Sequence, residues 1–112
     1  MNMYDPNKIY QALLDAGNKW ADKKAAFQLL DDMTKTYLAD CIDRCEEGSM
    51  AAKTEKARLD PVYISHLEGL AKARREFLIA EVGYKSMQAL SDHRRTEQST
   101  RRAEANLGST IT

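Results

Sequence analysis

Apolar residues return along the first part of the chain at steps of three and four: Ile9, Leu13, Ala16, Trp20, Phe27, Leu30, Thr34, Tyr37, Cys41 and Cys45. That spacing is the α-helical one and puts all ten side chains on one face. The single polar gap, between Trp20 and Phe27, is filled by Lys23 or Lys24. Asp5-Pro6 supplies a start signal, since an aspartate caps orphan amides and a proline at the first helical position needs no N–H. Gly17 costs about 1 kcal/mol relative to alanine. The stripe keeps its phase across it, so it reads as a tolerated or closely packed glycine. The pattern predicts a helix over about residues 6–47, closed by Gly48 in a left-handed position.

From Ser49 to Leu59 the period is lost although helix formers abound, which predicts a short helix or an ordered connector over about residues 48–60. Asp60-Pro61 then repeats the start signal. Tyr63, Leu70, Phe77 and Tyr84 recur every seven residues, with His66, Ala73, Ala80 and Met87 between them, the pattern of a coiled-coil seam. Leu67, Leu78, Val82 and Leu90 widen it. This second helix is expected over about residues 61–105, and residues 108–112 (GSTIT) are expected to be a disordered tail.

Two helices of some forty residues joined by a short connector predict an all-α protein: a single antiparallel helical-hairpin domain over about residues 1–107. A lone hairpin buries only part of each stripe, so an oligomeric helical bundle or coiled coil is expected to complete the core. Trp20, Phe27, Tyr37, Tyr63, Leu70, Phe77 and Tyr84 are the expected oligomer core. The length, 112 residues, points the same way, because one chain of this size has a modest core.

Charge changes the picture at the far end. The net charge is zero, with 17 basic and 17 acidic residues, but residues 1–48 hold six basic against nine acidic and residues 71–112 eight against five. Arg94-Arg95 and Arg101-Arg102 lie seven residues apart, so the pairs stack along one side of the helix. On a straight helix Arg95 and Arg102 project where Phe77 and Tyr84 do. Unpaired arginines do not sit in a core; the packed seam is therefore expected to end near Leu90, with a protruding basic segment beyond it. Guanidinium forks at this spacing suit phosphates and need no particular base, and Arg74, Arg75 and Lys85 extend the surface. The alternative is a solvated helix end, with Glu97 pairing Arg101.

Catalytic chemistry finds no support. His66 and His93 stand alone, the five glycines are scattered, and the acidic residues of the first helix match no metal-binding loop. No enzyme activity, cofactor or metal is expected. Cys41 and Cys45 read as buried thiols of a reducing compartment. With no apolar run of membrane-spanning length and no signal-like start, a cytoplasmic location without a membrane partner is expected.

A first helix containing NKWADKKAAFQLLDDMTKTYLADCIDR, a connector, and a second helix containing ARREFLIAEVGYKSMQALSDHRRTEQSTRR resemble, across most of the chain, small tailed-phage recombination mediators of the UvsY type. The resemblance implies a helical oligomer acting in the host cytoplasm, binding single-stranded DNA without sequence preference and loading a recombinase onto strands coated by single-strand-binding protein. It also implies DNA contacts from Lys23, Lys24 and the arginines of the second helix. The competing expectation is a helical adaptor, scaffold or inhibitor that binds a protein through the same surface.

Overall fold

A proline at the first helical turn opens both long elements of the protein. In the computed structural model, which describes residues 5–111 and side chains from residue 5 to 108, α1 spans Pro6–Asp43, α2 Met50–Arg58 and α3 Pro61–Ile111. The carboxylate of Asp5 accepts from the Asn7 amide at 3.0 Å and that of Asp60 from the Val62 amide at 2.8 Å. Each Asp-Pro step thus caps a helix.

The long helices run antiparallel, which makes the fold an all-α hairpin, and the molecule extends 91 × 25 × 15 Å. Three ring pairs fix the register: Trp20 on Tyr84 (5.3 Å between centroids), Phe27 on Phe77 (5.8 Å) and Tyr37 on His66 (4.4 Å). All ten residues of the first stripe are at least half-buried, and Lys23 fills its gap by reaching Glu76 of α3 at 3.2 Å. The seven residues expected at an oligomer core all lie on this intrachain seam, half-buried. Among the described residues only Cys41, Ala57, His66 and Ala80 are buried, the last two with 8% of their surface still exposed.

His66, the one polar member of that set, has partners. Its Nε2 lies 2.8 Å from the Thr34 hydroxyl, which is also 3.2 Å from the Leu30 carbonyl. A hydroxyl has one proton; if it donates to Leu30, the imidazole must donate to Thr34.

Two expected boundaries shift. α1 stops at Asp43 and not at residue 47, because the Arg44 amide bonds to Asp40 and the Cys45 amide to Ile42 in a tightened last turn. Gly48 does take a positive φ of 115°, but in the turn beyond the helix, where it steers the chain into the Ser49 cap of α2. The connector contains a true helix, α2, with Ala57 buried. α3 continues to Ile111 through the expected disordered tail, since Gly108 keeps helical backbone and no proline intervenes; Thr112 lies outside the described residues.

Candidate nucleic-acid interface

The arginine segment begins where α1 runs out. Arg94 is half-buried and, with Asp5, Lys8, Ile9 and Leu90, lines a pocket at the level of the first turn of α1. From Arg95 to Ile111, α3 outruns the described start of α1 by about 25 Å at 1.5 Å per residue. The seam therefore carries on past the expected end at Leu90 and reaches Arg94. Arg94, and not Arg95, falls on the seam: at the 3.5-residue period of packed helices it continues the line of His66, Ala73, Ala80 and Met87, while half-buried Ser91 and Gln98 continue that of Phe77 and Tyr84. Arg95 is exposed and bonded to Asp92 at 2.8 Å. His93 lies 3.6 Å from Glu97, so that glutamate turns toward the histidine and not toward Arg101. Arg101 and Arg102 are exposed and have no ion pair among the described residues.

The remaining candidates stay on the hairpin body. Lys23 is committed to Glu76, Lys24 sits over the Trp20 ring with its Nζ 5.7 Å from the centroid, and Lys85 pairs with Glu81 at 3.1 Å. Arg74 and Arg75 line a groove of about 650 Å³ between α1 and α3, whose walls include Phe27, Asp31, Leu67 and Leu78. From Arg75 to Arg101 the helix rises about 39 Å. The nine basic residues are thus spread along the hairpin and not gathered in one patch, with Lys85 about 14 Å along the helix from Arg94. Tyr84 is committed to the seam: its ring packs on Trp20 and against Gly17, and its hydroxyl accepts from the Gln88 amide at 2.9 Å.

Cys41 and Cys45 are free thiols at the far end of the hairpin. Burial, and then the neighbouring Asp60 carboxylate, push the Cys41 thiol pKa up, only partly offset by Arg44; the buried sulfur is therefore unreactive at neutral pH. Among the described residues no group of three or more His, Cys, Asp or Glu is placed to hold a metal ion, and no helix is long and apolar enough to cross a membrane.

Comparison with protein-family models, curated proteins and solved structures finds no match. The functional reading therefore rests on the residues themselves.

Proposed function

We propose that the protein is a non-enzymatic accessory factor of phage or prophage DNA recombination. It self-associates in the cytoplasm, holds single-stranded DNA without sequence preference through its arginines, and presents that strand to a recombinase or single-strand-binding protein. The observation that supports this reading is the α3 extension: Arg101 and Arg102 stand exposed, with no ion pair among the described residues, on a helix that has outrun the described start of α1, with Arg94 and Arg95 at its base. Phosphate oxygens are the ligands that exposed guanidinium forks at this spacing suit, whatever the base. Arg74, Arg75, Lys85, Lys23 and Lys24 are secondary contacts in this reading.

A fluorescence-anisotropy titration of a labelled single-stranded oligonucleotide tests it, run at low and moderate salt on the parent and on a variant with Arg94, Arg95, Arg101 and Arg102 changed to alanine. The parent binds, salt weakens the complex, and the variant does not bind. A parent that fails to bind even at low salt overturns the nucleic-acid reading.

The second reading, a helical adaptor, scaffold or inhibitor of a protein partner, draws on a different observation: the groove beside Arg74 and Arg75 leaves Leu67, Leu78, Ile79 and Val82 uncovered. It predicts capture of a protein in place of DNA.

A further inference from the structure

The hairpin exposes 8931 Å² of surface for a mass of 12.7 kDa. A compact monomer of that mass exposes about 6,200 Å². The excess is far more than the roughly 800 Å² that each partner buries in a standard stable interface. Part of it comes from the elongated shape, and part is apolar and localised. Leu67 is 38%, Leu78 44% and Val82 66% exposed along one side of α3, and Leu14 is 43% exposed on the same side of α1. With Ala71 this makes a second apolar stripe on α3, turned away from the α1 seam and toward the groove.

The charges in that groove are set in a register. Phe27 on Phe77 and Trp20 on Tyr84 mean that a step of seven along α1 is a step of seven back along α3. Flanking the seam on the groove side, Leu38 comes level with Leu67, Asp31 with Arg74, and Lys24 with Glu81. The order is apolar facing apolar, then acid facing base, then base facing acid. Within the chain Asp31 and Arg74 make no ion pair although they line the same groove, and Lys24 does not reach Glu81, which pairs instead with Lys85 on its own helix.

We propose that a second copy of this chain occupies the groove, its own groove face laid on it about a two-fold axis parallel to the long axis of the hairpin, giving a four-helix bundle. That symmetry stacks α1 of each copy on α3 of the other and preserves height, so Asp31 meets Arg74, Lys24 meets Glu81 and Leu38 meets Leu67 across the interface, each twice. The other face-to-face arrangement has a two-fold axis crossing the groove. At the height of Asp31 it lays Asp31 on Asp31 and Arg74-Arg75 on Arg74-Arg75, which like charges reject; half a heptad away it sets Asp31 against Lys24, a pairing that mixing Asp31→Arg with Arg74→Asp does not restore. The chosen symmetry also sends both α3 extensions out of the same end, bringing two sets of Arg94, Arg95, Arg101 and Arg102 together. The dimer deepens the proposed function by setting where the phosphate-binding arginines gather, but its geometry rests on the groove alone, so loss of DNA binding and loss of the dimer are separate results.

Sedimentation equilibrium of the full chain, with circular dichroism to confirm helix content, tests it. The parent has twice the chain mass. Leu78→Asp, an exposed position off the α1 seam, gives a helical monomer. Asp31→Arg and Arg74→Asp each raise the dimer dissociation constant by about tenfold or more, because two attractive pairs per dimer become repulsive. Mixing the two single variants restores the dimer, since the introduced arginine then faces the introduced aspartate at one crossing and the native Asp31 faces the native Arg74 at the other. A monomeric parent overturns the proposal and leaves the groove to a different protein. An assembly indifferent to Leu78→Asp and to both charge reversals overturns it equally.

Discussion

Gly17 and Tyr84 are in direct contact: a Cβ on Gly17 would lie 3.1 Å from Cε2 of the Tyr84 ring, itself stacked on Trp20. The missing side chain lets the hairpin close around its largest aromatic pair. Gly17→Leu has to push Tyr84 off Trp20 and is expected to cost about 1–3 kcal/mol, the usual result of overfilling a packed site. Gly69 and Gly83 also lie within a helix, but nothing stands within 4 Å of where their Cβ atoms would be. Alanine at either is expected to add about 0.5–1 kcal/mol. Urea unfolding of the three variants measures both signs in one series.

Thr34 and His66 predict a second effect. Thr34→Val keeps the shape of the side chain but leaves the buried Nε2 of His66 without the hydroxyl 2.8 Å away. A loss of about 1–3 kcal/mol is expected, the range for a buried polar group stripped of its partner. Lys23→Met, at the other polar position of the same stripe, is expected to change stability by less than about 0.5 kcal/mol, because the Glu76 pair is solvent-screened and the methionine fits the apolar line. Thermal melts of the two variants side by side separate a dry polar contact from a wet one.

The Cys41 thiol gives a pH dependence. Burial, with Asp60 beside it, raises its pKa in the fold. The unfolded chain then loses the proton first, near the ordinary thiol value of about 8.5. Below that pH the stabilisation is fully present; as pH rises toward the folded value, the unfolded state binds fewer protons and stability falls. The parent is expected to lose more stability between about pH 8 and 10 than Cys41→Ala, whatever the substitution costs near neutrality. Denaturant midpoints across that range for both proteins check the sign. A thiol-reactive dye is expected to label Cys45 on the native protein and Cys41 only after unfolding.

These effects lie on a scaffold whose main lines are legible in the chain. The stripe from Ile9 to Cys45 and the heptad from Tyr63 to Met87 both face the seam, because in a two-helix protein burial follows periodicity directly. α2 is harder to read: with Ala57 alone buried, it has no stripe to announce it, only the Ser49 cap. A straight-helix projection puts Arg94 on the wrong line of α3, because it drifts about 20° per heptad from a packed helix. The ion pair of Lys23 with Glu76, and the shared groove of Asp31 and Arg74, need the register between helices. No single-helix pattern contains that.

Arg94 and the Arg101-Arg102 pair are expected to do different work, and the difference is measurable. Arg94 is half-buried beside Asp5 and Ile9, so its methylenes cover the end of the seam as well as carrying charge. Arg94→Ala is therefore expected to lower the melting temperature, whereas replacing Arg101 and Arg102, both fully on the surface, leaves it unchanged. For single-stranded DNA the order reverses. If Arg101 and Arg102 each hold one phosphate, their joint removal flattens the slope of log affinity against log salt by about 1.4, near 0.7 per contact on a single strand. Both arginines stand away from the groove at Leu78, so the sedimentation mass is expected to stay that of the parent. An unchanged salt slope in the double variant would remove the two exposed arginines from the binding surface and shift the phosphate contacts to Arg94 and Arg95 at the base of the extension.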